Sequence, residues 1–305
     1  MITGALGFVG WHTIECLSNQ NYDVQILGVD KKRNATNNIK FKYLSADLAD
    51  HEKINIAINE FSPTHVIHLA GLVGPGTLEE HINANLINTE ILYDAISKLK
   101  PIPKVIQAGS ASVYGWISTE ELPVDETQAL RPIGPYGLSK AAQDMLAESY
   151  FREKGLPVVR ARIFNLLGPG QNKNMVPMTF VHQFKDVKNG KATAIKTGNL
   201  GPTRDFIDIR DVSSAIFRLV LEGKPGEAYN VAGEKEISIR NIINMLIDIT
   251  GLDPSLQIQS CRVRASDITR IYADCSKIKK HTNWVPAINL KQSLIEMWKQ
   301  VTNDC

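Results

Sequence analysis

Through the first half of the chain, short apolar runs alternate with longer stretches in which apolar residues recur at helical spacing. The runs predict strands over 1–3, 23–29, 39–45, 65–70, 104–108 and 158–163. The spaced stretches predict helices over 11–18, 51–60, 78–99 and 136–154. This alternation specifies an α/β fold, a doubly wound parallel sheet with helices on both faces. Ligands of such sheets bind beyond the carboxyl ends of the strands, so the residues just past each run carry the interest. After 165 the pattern changes. Residues 171–177 read as a loop entering a helix that runs to 187, 194–196 as a short strand, and 204–209 as the start of a segment returning to the main sheet. From 236 the spacing is helical, through Ile237, Ile239, Ile242, Ile243, Leu246 and Ile247. The expected division is a larger domain, 1–165 plus 204–233, and a smaller α/β domain, 166–203 plus 234–305. Only three residues precede the first loop, where a central strand has about five. Either the strand is clipped or upstream residues are absent, and marginal order is expected at this end.

The first loop carries glycines at 4, 7 and 10, between the apolar scrap and the first helix. Gly4 permits the tight turn, Gly7 lets the backbone approach a pyrophosphate, and Gly10 lets helix and strand pack closely. The phosphates would meet unpaired N–H groups at the helix N-terminus. Asp30 follows Gly10 by 20 residues, at the end of the second strand. A carboxylate there accepts the adenosine ribose hydroxyls and favours NAD. Lys31, Lys32 and Arg33 follow at once, either as a solvated charge run or as a grip on a 2′-phosphate, which keeps NADP open. Asp47 either reaches the adenine amino group or caps the next helix.

Between 109 and 140 the sequence offers acid/base chemistry. Tyr136 and Lys140 are four apart and share one helix face. An ammonium one turn away is expected to stabilise the phenolate and lower the Tyr pKa towards neutrality. The same Lys reaches a nicotinamide ribose. Ser110, in Gly109-Ser110-Ala111-Ser112, leaves the end of the preceding strand and can bond a sugar hydroxyl or carbonyl. Alone, a Tyr-x-x-x-Lys pair is an ordinary surface pair; after a glycine loop and a strand-end Ser it reads as catalytic.

Composition narrows the setting. The chain has 305 residues, 43% hydrophobic, with a net charge of +2, which points to neither nucleic acid nor a membrane surface. Cys16, Cys261, Cys275 and Cys305 show no paired or metal-ligand spacing and read as free thiols in a reducing compartment, so no metal is expected and the location is cytoplasmic. No apolar run reaches membrane-spanning length.

At this point the chain resembles the extended short-chain dehydrogenases/reductases that act on nucleotide sugars, the NAD-dependent epimerase/dehydratase family with a Rossmann domain. The resemblance rests on Thr3 to Gly10, Asp47-Leu48, His68-Leu69-Ala70-Gly71, Ser110 to Gly115, Tyr136 to Lys140 and Arg162-Ile163-Phe164-Asn165. Later signposts are Gly168-Pro169-Gly170-Gln171, Arg204 to Asp208 and Asn283-Trp284-Val285-Pro286. It implies Tyr136 as the acid/base, Lys140 as its partner and Ser110 as the third member. It implies cofactor contacts from Phe8, Val9, Leu48, Leu69, Ala70, Gly71 and Phe164 as well. Asn165, Val176, Ser112, Arg204, Arg264 and Asp267 are the implied substrate contacts, with Arg204 and Arg264 gripping the nucleotide end. Asn85 resembles the family's structural Asn, and members pair as homodimers through two long helices, here 80–98 and 136–154. Leu86, Ile91, Leu92 and Ile96 serve either that face or the core.

The reaction is narrowed by a departure. The family's 4,6-dehydratases carry acidic residues just after the catalytic Ser/Thr, where this chain has Ala111 and Ser112. Two reactions remain: reduction of a 4-keto sugar, or 4-epimerisation on tightly held NAD. The stretches 130–144, 196–206 and 264–274 look most like the GDP-sugar branch, implying reduction of a GDP-4-keto-6-deoxy-hexose at C4 to a GDP-rhamnose-type product. The 110–115 stretch is equally at home in UDP-hexose 4-epimerases. A non-catalytic dinucleotide sensor on the same fold is the reading from another class.

Overall fold

The computed structural model describes residues 1–32, 41–260 and 268–303. In chain order its elements are β1 (Ile2–Thr3), α1 (Phe8–Ser18), β2 (Leu27–Asp30), β3 (Lys42–Ser45), α2 (His51–Phe61), β4 (His65–His68), α3 (Leu78–Ile82), α4 (Asn88–Ile96), β5 (Lys104–Ala108), α5 (Gly134–Lys154) and β6 (Val158–Ile163). There follow β7 (Asn165–Leu167), α6 (Val176–Lys188), β8 (Ala194–Thr197), β9 (Thr203–Asp208), α7 (Ile209–Glu222), β10 (Ala228–Val231), β11 (Glu236–Ser238), α8 (Ile239–Thr250), β12 (Ser255–Ile258), β13 (Arg270–Ile271), α9 (Ser276–Thr282) and α10 (Leu290–Asn303). A π-helical turn, Asn83–Ile87, joins α3 to α4.

Seven parallel strands form the main sheet, in the order β3-β2-β1-β4-β5-β6-β10. Six of them follow the 3-2-1-4-5-6 order of doubly wound dinucleotide folds, and the order reverses between β1 and β4. Alternation along the strands serves both faces. Ile67, Ile106 and Val159 join the core under α1 and α7, while Val66, Val105 and Val158 join the core under α2, α4 and α5. Such strands, covered on both sides, read as continuous apolar runs, which is why the sequence shows them plainly.

A third core gathers Phe180, Val181 and Phe184 of α6, Ile242, Ile243 and Leu246 of α8, and Leu294 and Met297 of α10. Beside it, β9 pairs with β7, β11 and β13 in a small separate sheet, and β12 pairs with β8. The segment that starts at 204–209 returns to the main sheet at β10, while β9 itself pairs in the small sheet. The helix expected from 236 begins later, because residues 236–238 pair antiparallel with β9 before Ser238 caps α8. Ile271, Cys275, Ile278 and Trp284 belong to the core of the main sheet, although the sequence assigned 234–305 to the smaller domain. No helix among the described residues is long and apolar enough to cross a membrane.

Met1 is buried and its amine donates to His65 O at 2.8 Å, so the short first strand is held on both edges, by β2 and β4, rather than loose. Cys16 and Cys275 are free thiols; Cys261 and Cys305 lie outside the described residues.

Candidate active site

The glycine loop is pressed against the end of β4 at the point where strand order reverses. Gly4 has φ +67°, and a Cβ there would stand 2.8 Å from Ala70 N and 2.9 Å from the carbonyl carbon of Leu69. A Cβ on Gly10 would fall on Gly4 O and lie 2.8 Å from Ala5 O. Gly7 caps α1 with no side-chain bond, and the first turn holds no acidic residue. The helix therefore presents its first N–H groups and the positive end of its dipole without competition from the protein's own carboxylates. Phe8 and Val9 lean on the sheet core. Asp30 stands against this loop: Leu6 N donates to Oδ2 at 3.0 Å and Lys32 N to Oδ1 at 3.1 Å. Lys32 Nζ donates to Leu6 O at 3.0 Å, and Arg33 lies outside the described residues. This cradle, open where side chains would fill it and flanked by a carboxylate, fits a dinucleotide: the N–H groups for the pyrophosphate, Asp30 for the ribose.

Asp47 is exposed and accepts from Ala49 N at 3.0 Å. It does not cap α2; Asp50 does, accepting from Lys53 N at 3.1 Å. Leu48 and Phe164 are core residues, 6% and 4% exposed, so any contact with a cofactor would come from their backbone or an edge. Leu69 and Ala70 follow β4 directly. Gly71 is exposed, and a Cβ on it would stand 2.6 Å from Asn85 Oδ1.

Ser110 leaves the end of β5 and Tyr136 lies in the first turn of α5. Ser110 interacts with the Tyr136 phenol closely enough to lower its pKa, while Ser110 Oγ accepts from Ser112 N at 3.2 Å and from Ser112 Oγ at 2.9 Å. Lys140, one turn further on, is 6% exposed; Nζ donates to Ala108 O at 2.6 Å and to Gln143 Oε1. The expected lowering of the Tyr pKa is corrected. Burial pushes the phenol above its ordinary value, and the interaction with Ser110 only moderates the rise. Burial likewise brings Lys140 down to about 8, against the opposing pull of Asp144. Tyr136 is thus held as an acid, and Lys140 keeps its charge near neutrality.

Other groups complete the surroundings. The Asn85 side chain accepts from Leu72 N at 2.7 Å and donates to Leu72 O at 3.1 Å and Ser139 Oγ at 2.9 Å, fixing the loop after β4 against α5. Its structural role matches expectation. His81 was not singled out in the sequence; its ring lies edge-on to Tyr136 with centroids 5.7 Å apart, and Nε2 is 3.2 Å from Gly74 O. Asp144, two helical turns after Gly137, holds Arg160 and Arg162 at 3.0 and 2.9 Å. Gln143 and Asp144 could have been found from their i+3 and i+4 spacing to Lys140; His81 gave no signal.

On the substrate side, Asn165 Nδ2 donates to Asp205 O at 3.2 Å, and Asn165 pairs in register with Phe206 of β9. Arg204 is on that same strand, with Nη1 donating to Thr203 O at 2.8 Å. Val176 begins α6 and is 47% exposed. Arg264 and Asp267 lie outside the described residues.

Residues 1–297 match the family model described as GDP-mannose 4,6 dehydratase. The chain belongs to that family. Its relatives include the Pseudomonas aeruginosa GDP-6-deoxy-D-mannose reductase, 30% identical over 298 residues, which are 96% of this chain and 93% of that one. A putative UDP-glucose 4-epimerase of Methanocaldococcus jannaschii is also 30% identical, over 99% of this chain and 97% of that one. The solved structure of RMD from Pseudomonas aeruginosa complexed with NADPH matches with a TM-score of 0.86 and 27% identity, covering 100% of this chain and 99% of that one. Positions 111 and 112, just after Ser110, carry no carboxyl group: Ala111 is buried and Ser112 is bonded to Ser110.

Proposed function

We propose that this chain reduces the 4-keto group of a GDP-4-keto-6-deoxy-hexose with NAD(P)H, giving a GDP-rhamnose-type product. The observation that carries the reading is Tyr136, a half-buried phenol in the first turn of α5, whose pKa is raised and which interacts with Ser110 at the end of β5. When bound, the nicotinamide supplies the hydride. Tyr136 then gives its proton to the oxygen at C4, and Ser110 orients that oxygen. Lys140, charged beside them, stabilises the phenolate left behind. The glycine cradle and Asp30 would hold the dinucleotide, with NAD and NADP both compatible because Lys32 stands beside Asp30. Asn165, Arg204 and the start of α6 would take the nucleotide sugar, Arg204 suiting a diphosphate through its planar fork.

Ala111 and Ser112 cannot act as carboxyl acids or bases, which argues against 4,6-dehydration. Similarity to the Pseudomonas aeruginosa reductase supports the GDP-sugar reduction. The second reading, 4-epimerisation of a UDP-hexose on retained NAD, draws on the Methanocaldococcus jannaschii relative and on Asp30. Retention of Ser110, Tyr136 and Lys140 counts against a non-catalytic sensor. Pairing of two copies through the π turn with α4 and through α5 belongs to the same proposal, supported by exposed Ile87, Leu138 and Met145; Leu92 and Ile96 are core residues and take no part. Mass spectrometry of nucleotides released from freshly purified protein tests the choice. An exchangeable cofactor, with NADP(H) or a GDP species released, is expected; stoichiometric NAD with a UDP species would support the epimerase instead.

A further inference from the structure

Gln143 lies one turn beyond Lys140 and is 1% exposed. It belongs to a buried chain of hydrogen bonds that runs from the ammonium to the first strand. Lys140 Nζ donates to Gln143 Oε1, and Gln143 Nε2 donates to Thr89 Oγ1 at 2.7 Å. The Thr89 hydroxyl donates to Asn85 O at 2.6 Å. His68 Nε2 is 2.8 Å from Thr89 Oγ1, His68 Nδ1 is 2.7 Å from Thr3 Oγ1, and Ala70 N donates to Thr3 Oγ1 at 3.3 Å.

The directions of these bonds are forced. Thr89 has one hydroxyl hydrogen, and it goes to Asn85 O, so His68 Nε2 must donate to Thr89. His68 Nδ1 is then the acceptor for the Thr3 hydroxyl, and the ring is neutral, in keeping with burial that lowers it to about 3. Thr89 accepts twice and donates once. The Gln143 amide cannot turn over, because its NH₂ would then meet the ammonium and its oxygen would meet an oxygen with no hydrogen left to give.

We infer that Gln143 is the positioning residue for Lys140: its oxygen, locked in orientation by Thr89, holds the ammonium against Ala108 O at the end of β5 and keeps it charged. Of the three ammonium hydrogens, one goes to Ala108 O and one to Gln143, leaving the third for a ligand. The charged or titratable groups around Lys140 are Tyr136 and Asp144 on α5, the latter engaged by Arg160 and Arg162 of β6, and neutral His68 on β4. From α4 and β5 the contacts are Thr89 and a backbone carbonyl, neither of which titrates.

The functional meaning of this inference rests on Lys140 being part of the active site, so the test reads titration rather than turnover. Protein labelled with ¹³C-lysine is titrated and the Lys140 resonance is assigned with Lys140→Arg. Gln143→Leu should lower the Lys140 midpoint by about one pH unit or more, since a charge-assisted bond to a buried ammonium is lost. Gln143→Glu should raise it. Thr89→Val should lower it and Thr89→Ser should not, which carries the test if Gln143→Leu fails to fold. An unmoved midpoint in folded Gln143→Leu, or equal midpoints in the two Thr89 variants, overturns the inference. A moved midpoint in a protein that turns over no nucleotide sugar would support the inference and remove the catalytic reading instead.

Discussion

Two side chains four residues apart on a helix, Tyr136 and Lys140, were legible as a candidate acid/base pair only together with the glycine loop and Ser110, since their spacing alone is that of an ordinary surface pair. Their protonation was not. The spacing suggested an ammonium stabilising a phenolate, yet the Lys140 bonds go to Ala108 O and Gln143, and burial raises the phenol. Burial depends on what α5 packs against, which no local pattern reveals. Replacing Tyr136 by Phe should lower turnover by about 10²–10⁴-fold, the usual worth of a positioned acid. NADPH affinity, followed by cofactor fluorescence, should stay within twofold to threefold of the parent, on the order of the scatter expected for one lost hydrogen bond. Full activity in that variant would remove the phenol from the mechanism. Lys140, lowered to about 8, is charged below that pH and neutral above it. The reduction rate at saturating substrate should therefore fall as pH rises through about 8, and a rate unchanged to pH 10 would contradict the role given to its charge.

At the level of elements, β1, the glycine loop and α1 form the unit on which the cofactor cradle depends. Two of its glycines were readable because a close backbone approach requires them: Gly4 by Ala70 and Leu69, Gly10 by Gly4 O and Ala5 O. Gly10→Ala should push α1 off the loop. The expected cost is about 1–3 kcal/mol in thermal unfolding, as for other overpacked sites, together with weaker NADPH binding. Unchanged stability and affinity would mean the helix does not bear on the loop as described. The strand runs were legible because both faces of the main sheet are covered. The π turn within 78–96 was not, since an apolar stripe at helical spacing reads the same through one extra residue. Nor was β11, whose three residues are strand only because β9 lies alongside.

For the whole molecule, the order of the main sheet could be expected from its alternating elements, whereas the way the last 70 residues divide could not. Ile271 to Trp284 fold onto the core of the main sheet, and α8 and α10 fold onto α6. Buried Asp205 ties these parts together, accepting from Gly233 N at 2.7 Å and Ala273 N at 3.1 Å. Such contacts join residues far apart in the chain, and hydrophobic periodicity carries no record of them. The strand-end residues fall along one edge because all seven strands of the main sheet run parallel, so Gly4, Asp30, Leu69 and Ser110, singled out one by one in the sequence, all follow or end strands on that edge.

Reduction at C4 is tested by supplying NADPH or NADH with a GDP-4-keto-6-deoxy-hexose and identifying the product. One reduced cofactor should be oxidised per GDP-deoxyhexose formed, with the new hydrogen at C4. No cofactor oxidation with that substrate, alongside interconversion of UDP-hexoses at C4, would contradict it.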